Sequence, residues 1–311
     1  MQMGKNVLVT GGAGFIGSNV ADAFIAAGHR VVIIDNMYMG NKKNVNQKAK
    51  FVRMDIRDKK LTGLVKKEKI DVINHHAAQI SVPDSVKQPD FDADINIKGT
   101  LNLLEAAKEN KIKKFIFISS GGTVYGSKVK LPATENNPLT AESPYGISKV
   151  AGEHYVRFYT AQYGIKHTIL RYSNVYGPRQ IPHGEAGVVA IFIKMIMGGK
   201  TPTVFGGGKC IRDYVYVGDV AQASVLALEK GDNEAFNIGT GIQTDTNRLY
   251  AEIQKATGFD KPAISGPYRD GDLPENYLDA SKAGKVLGWK PAVSLEQGIK
   301  LTYEFFKQIN N

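Results

Sequence analysis

The sequence predicts an α/β fold built on a parallel, doubly wound sheet. β-branched runs alternate with amphipathic helical stretches through the first half of the chain. The runs show little in–out alternation, as in Val31-Val32-Ile33-Ile34, which suits strands covered on both faces. A glycine-rich turn follows the first run and opens a helical pattern.

The strands expected in order are 6–10, 31–35, 50–54, 71–75, 114–119 and 168–172. Helical periodicity fills the gaps, notably at 15–27, 97–109 and 148–163. After residue 175 glycine and proline become dense, as at Gly177-Pro178, Gly198-Gly199 and Gly206-Gly207-Gly208. We therefore expect a first domain over 1–174 and a smaller, irregular α/β substrate-binding region over 175–311 that closes over the carboxyl edge of the sheet. No linker separates them, so the chain is expected to cross between the two.

The 311 residues suffice for a real core, and 42% hydrophobic with 23% charged content is ordinary for a soluble protein. No apolar run reaches the ~18 residues of a membrane span; the run 187–193 is broken by Lys194. The N-terminus has no signal-peptide layout. One cysteine, Cys210, excludes an internal disulfide and fits a reducing cytoplasm. The net charge of +10 reads as a scattered lysine surface, or as attraction for an anionic ligand such as a nucleotide diphosphate. No basic stripe interleaved with aromatics points to a nucleic acid.

Residues 7–18 read VLVTGGAGFIGS. Two overlapping patterns are present, Gly12-x-Gly14-x-x-Gly17 and Gly11-x-x-Gly14-x-x-Gly17. Either supplies a tight turn, close backbone approach to a pyrophosphate, and helix amides from Phe15 onward to receive it. Asp35, at the end of the second strand, would bond both ribose hydroxyls of NAD and repel the extra phosphate of NADP. These features make the first domain Rossmann-type. Asp55-Ile56, after the third strand, is placed to meet the adenine, and a helix cap is an equal reading of Asp55.

Residues 143–149 read SPYGISK. Tyr145 and Lys149 are four apart and share a helix face. An ammonium beside a phenol favours the phenolate, which a general base requires. Ser143-Pro144 would set the pair in the first turns of a helix. His75 and His76 are adjacent on a strand and face opposite ways, so no metal is expected there.

The chain resembles the extended short-chain dehydrogenases/reductases, and among them the UDP-glucose 4-epimerase branch. The resemblance rests on TGGAGFIGS, DN at 35–36, HHAAQ at 75–79, NIKGTLNLLEAA at 96–107, SPYGISK, LRYSNVYGPRQ at 170–180, RDYVYVGDVA at 212–221, NIGTG at 237–241 and DGDLPENYLDASKA at 270–283. It implies a retained NAD. Gly11, Gly14, Phe15, Ile16 and Gly17 would meet the pyrophosphate, Asp35 with Asn36 the adenosine ribose, and Asp55 with Ile56 the adenine. Ala77, Ala78 and Gln79 would line the middle of the cofactor, Asn96 would order the loop there, and Ser119 and Tyr172 would complete the site. Tyr145 would be the base, with Lys149 holding the nicotinamide ribose. Asn174, Arg212 and Arg269, with Val189 and Asp272, match positions that bind the UDP-sugar. The resemblance also implies a homodimer paired through helices 97–109 and 148–163.

Two departures from the family pattern matter. Many relatives carry a Ser or Thr three residues before VYG, where this chain has Gly121, and a subgroup places the hydroxyl one residue earlier, before a Gly-Gly pair. Ser120 is then the expected hydroxyl partner of Tyr145, with Thr123 the alternative. Gly121-Gly122 would let backbone pass close to nicotinamide and sugar. Sugar 4,6-dehydratases of the superfamily place Asp-Glu where this chain has Gly122-Thr123, which points away from elimination. Asn276 stands where relatives restricted to UDP-glucose and UDP-galactose carry a bulky Tyr, so N-acetylated sugars are expected to fit.

Overall fold

The computed structural model describes residues 4–181, 187–268 and 273–310. Seven strands form one sheet: β1 (Asn6–Thr10), β2 (Arg30–Asp35), β3 (Lys50–Arg53), β4 (Val72–His75), β5 (Lys114–Ser120), β6 (Lys166–Tyr172) and, later in the chain, β10 (Glu234–Ile238). Every pairing is parallel, in the spatial order β3-β2-β1-β4-β5-β6-β10. The order reverses between β1 and β4, and a parallel sheet opens its ligand crevice at such a reversal.

Alternate residues feed two cores. Val7, Val9, Val31 and Ile33 face one layer, which includes α1 (Phe15–Ala26) and α8 (Val217–Leu226). Leu8, Val32, Ile34 and Ile73 face the other, with α2 (Leu61–Lys67), α5 (Gly99–Glu109) and α6 (Pro144–Tyr163). Two short helices, α3 (Val82–Lys87) and α4 (Pro89–Ala93), pack on α6.

Two helical runs start earlier than periodicity alone predicts. A π-helical stretch, Asp94–Lys98, leads into α5. Helix α6 begins at Pro144, not at 148, because Ser143 caps it: its Oγ accepts the Gly146 N–H at 3.2 Å, and proline suits the first turn.

The chain crosses the boundary expected at residue 174 repeatedly. The chain leaves the sheet at β7 (Asn174–Tyr176), which pairs with β9 (Ile211–Tyr216). It returns through α8, packed on α1, and β10, paired with β6, then leaves again. Strand β10 has one short run, EAFNI, and its place at the sheet edge is set by a partner 66 residues earlier, since Glu234 pairs with Thr168. Outside the sheet, β9 also pairs with β11 (Gln243–Asp245) and β13 (Glu275–Asn276), while β8 (Thr203–Phe205) pairs with β12 (Ile264–Gly266). Helices α7 (Val188–Met197), α9 (Thr246–Thr257) and α11 (Leu295–Asn310) share a third core, and α10 (Ser281–Leu287) packs on β10. None of the described helices is long and apolar enough to cross a membrane.

Candidate active site

The glycine turn between β1 and α1 sits at the strand-order reversal. Gly11 has φ +66, and a Cβ there would lie 2.8 Å from the Ala77 nitrogen. Glycine thus lets the turn press against the loop that follows β4. Gly14 is the N-cap of α1 and has no side-chain oxygen to give, so the first-turn amides at Phe15, Ile16 and Gly17 stay available to an anion. Asp35 is 8% exposed. Its Oδ2 accepts the Ala13 N–H at 3.0 Å and its Oδ1 the Met37 N–H at 2.8 Å, which braces the glycine turn. This donor set fits a dinucleotide: free helix amides for the pyrophosphate, with a fixed carboxylate beside them.

Asn36 donates from Nδ2 to Asp55 Oδ2 at 2.9 Å. Arg57, which also reaches Asp94, holds the Asp55 carboxyl well below the usual carboxylate range. Asp55 caps a two-residue turn at Arg57 N, not a helix. Ile56 is buried and packs close to Gly99. Along the loop after β4, Ala77 N donates to Thr10 Oγ1 at 3.0 Å. Gln79 and Asn96 exchange two hydrogen bonds: Gln79 N to Asn96 Oδ1 at 2.9 Å, and Asn96 Nδ2 to Gln79 O at 3.0 Å. Asn96 lies in the π-helical stretch, a frequent marker of functional sites. Ala78 is half-buried beside these residues.

Tyr145 lies in the first turn of α6, its backbone N–H on Ser85 Oγ at 3.1 Å. Ser120, at the end of β5, hydrogen-bonds the phenol. Thr123 Oγ1 is buried with no partner among the described residues, so Ser120 is the hydroxyl that meets Tyr145. Lys149 Nζ donates to Ile118 O at 3.0 Å and stands 5.7 Å from the centre of the Tyr145 ring. Burial pushes the Lys149 ammonium down to about 8.

The spacing of Tyr145 and Lys149 leads one to expect a phenol lowered by the ammonium. In the protein alone the opposite holds: burial pushes the Tyr145 phenol up to about 12, against the pull of Ser120. Desolvation dominates, and the Asp92 charge adds to it, so the phenol keeps its proton.

Ser119 and Tyr172 direct their polar atoms elsewhere. Ser119 faces away from Ser120 and donates to Glu153 Oε1 at 2.7 Å. The Tyr172 hydroxyl is 3.0 Å from Ser224 Oγ on α8, and its ring lies in the core beside His76. His75 is held between Thr10 and Thr100 hydroxyls, and burial keeps both histidines neutral.

On the substrate side, Asn174 opens β7. Arg212 lies in β9 between Thr244 and Asn276, its Nη1 donating to Ile211 O and Leu273 O at 2.9 and 2.8 Å. The Val189 side chain is packed in the third core. Arg269 and Asp272 lie outside the described residues. At Gly121 a Cβ would meet Leu278 Cδ1 at 2.5 Å, so glycine there admits Leu278. Asn276 is 4% exposed, and its Oδ1 has no partner among the described residues.

One residue of the site escapes motif reading. Asp92 is 1% exposed, and its Oδ1 accepts from Asn96 Nδ2 at 3.0 Å and Gln79 Nε2 at 3.2 Å. The spacing of four to Asn96 was its one signal, and ordinary helix surfaces carry the same spacing.

Comparison with known proteins matches this geometry. The pattern of the NAD dependent epimerase/dehydratase family covers residues 7–239. A putative UDP-glucose 4-epimerase of Methanocaldococcus jannaschii is 49% identical over 98% of this chain and 99% of its own. The UDP-glucose 4-epimerase of Thermotoga maritima, solved with UDP-glucose, superposes with a TM-score of 0.96 at 48% identity, over 98% of this chain and 100% of that one. The Thermus thermophilus UDP-glucose 4-epimerase, solved with NAD, gives 0.91 at 42% identity, over 97% and 99%. With a glycine turn braced by Asp35 and a Ser120–Tyr145–Lys149 constellation at the same sheet edge, the chain belongs to the NAD dependent epimerase/dehydratase family.

Proposed function

We propose that this protein interconverts UDP-hexoses at C4, UDP-glucose with UDP-galactose, through a transient 4-keto sugar and a retained NAD. The carrying observation is Tyr145 hydrogen-bonded to Ser120, with Lys149 one turn along α6, at the edge that also carries the glycine turn. The first-turn amides of α1 would hold the pyrophosphate, and Asp35 with Asn36 the ribose. Bound there, NAD supplies the acceptor and donor of hydride at the sugar C4.

The chain's own residues manage the proton. Tyr145 takes it from the 4-hydroxyl and later returns it, and Ser120 orients that hydroxyl and the phenol. Lys149 supplies positive charge behind both. A phenol at about 12 is a proton reservoir in the protein alone; positive charge brought to the site lowers it toward a working base. The sugar must turn between the two hydride transfers, so anchoring belongs on the UDP end, through Asn174, Arg212, Arg269, Asp272 and the Val189 backbone. Gly122 and Thr123 next to Ser120 offer no acid for eliminating water, which favours epimerisation over dehydration.

The small, buried Asn276, whose Oδ1 has no partner among the described residues, supports acceptance of N-acetylated hexosamines as well. Tyr155, Phe158 and Tyr163 of α6 are partly exposed apolar groups, and we read this face with α5 as a homodimer surface. One half-buried cysteine, Cys210, suits a cytoplasmic enzyme, and the reaction places it in galactose metabolism.

Proton NMR of UDP-galactose with the purified protein and no added NAD or reductant tests the function. An equilibrium mixture with UDP-glucose is expected. Unchanged UDP-galactose, or a 4-keto-6-deoxy product, would refute it.

A further inference from the structure

Lys149 is a cation in a buried place, and its surroundings do little to keep it charged. Its Nζ donates to one carbonyl, Ile118 O. Phe117 and Tyr145 rings lie 5.4 and 5.7 Å away. From the end of β4, His75 and His76 approach as neutral imidazoles. From α6 itself come Tyr145, a neutral phenol, and Glu153, which is committed to Arg171 and Ser119. Asp84 and Lys87 of α3 are exposed. Asp94 is committed to Arg57 and Lys98. Among the described residues, the one ionisable group whose charge favours the protonated form of Lys149 is Asp92.

Asp92 is built into place. It follows Phe91 on α4, which packs on α6, and it is 1% exposed. Asn96 Nδ2 bridges Asp92 Oδ1 at 3.0 Å and Ser148 Oγ at 3.2 Å. Ser148, the neighbour of Lys149, has two acceptors in reach of its one proton: the Tyr145 carbonyl at 2.9 Å and the Asp92 carboxylate. A buried carboxylate is costly unless bonded or paired. Here amide and hydroxyl donors, with the Lys149 charge, offset part of that cost, and burial still holds the Asp92 carboxyl above its ordinary value.

We propose that Asp92 is a positioning residue for the Tyr145–Lys149 pair: its buried carboxylate is the counter-charge that keeps Lys149 an ammonium, and through Asn96 and Ser148 it sets the first turn of α6. Asp92 favours the protonated form of both members, since its field also raises Tyr145. Removing the charge therefore releases both protons at lower pH. The two limbs of the pH–rate profile belong to the coupled pair, and both move the same way.

This inference rests on the epimerase reading. The experiment is the pH–rate profile of UDP-galactose epimerisation for the parent and for Asp92→Asn, which keeps the acceptor oxygen and removes the charge. Both limbs are expected to move down by about one pH unit, with a roughly tenfold fall in kcat on the basic side, and retained NAD unchanged. A parent that does not epimerise defeats the functional reading. A parent that does, beside an Asp92→Asn protein with the same profile, overturns this one. A uniform loss of rate with unmoved limbs also overturns it, as a merely structural role would give that. Asp92→Glu keeps the charge and serves if the Asn variant does not fold. Limbs at the parental pH are expected, and limbs displaced downward would refute the proposal.

Discussion

Two buried cations lie beside the end of β5, and their circumstances differ. Arg171, register-paired with Ser119, is 2% exposed and forms a two-pronged bond with Glu153, at 2.9 Å from Nε and 2.6 Å from Nη2. Ser119 and Arg157 also bond the Glu153 carboxylate, and Tyr125, accepting from Arg171 Nη1, passes the network to Asn237 of β10. Burial opposes the Arg171 charge, but Glu153 more than offsets it and holds the guanidinium above its ordinary value. Lys149, 6% exposed, has a carbonyl and a distant carboxylate, and burial wins. A cation with a full bonded partner locks two elements together. A cation left short of partners can be tuned, which acid–base chemistry needs.

Tyr145→Phe should produce the largest effect and fall on the tunable side alone. Turnover should drop about a thousandfold, within the range of general acid–base contributions. The melting temperature and retained NAD should stay at parental values, and steady-state assays with thermal scans check both.

Breaking the locked side should instead cost stability. Glu153→Ala leaves Arg171 buried and unpaired, and about 3–5 kcal/mol should be lost in urea unfolding. A loss under about 1 kcal/mol would mean that water replaces the carboxylate freely.

Lys149→Met gives the opposite sign. The ammonium titrates near 8 in the folded chain and near its ordinary 10.5 when unfolded. Below pH 8 both states hold the proton, and burying it costs about 3 kcal/mol. Between pH 8 and 10.5 the folded chain sheds it, and the cost fades as pH rises. The Met protein should thus be more stable than the parent at pH 7, with the gap closing by pH 10.5, and inactive throughout. Denaturant midpoints across that range measure it.

The smallest effect separates two hydroxyls. Ser120→Ala should lower kcat by roughly tenfold to a hundredfold, the worth of one hydrogen bond to a group that becomes charged. Thr123→Ala, at a hydroxyl with no partner among the described residues, should leave kcat within about twofold. Equal losses in both variants would merge their roles.

Much of this protein was legible in order along the chain. Strands and glycine turn follow from apolar runs and from residues within a few positions of one another, such as Gly11 to Gly17 or Ser143 to Lys149. These are local patterns, and backbone geometry reads them locally. The resemblance to a known family then assigned roles to single positions. The tertiary structure decided what depends on distant partners. β10 joins the sheet because β6 leaves its edge open, and nothing in EAFNI says so. Ser119 and Ser120 are chemically alike and adjacent, yet the pleat sends one to Glu153 and the other to Tyr145. Gly121 answers to Leu278, 157 positions away. The phenol of Tyr145 is high and the ammonium of Lys149 low because burial outweighs a spacing of four residues. Burial is a property of the packed fold, so only the tertiary structure sets it.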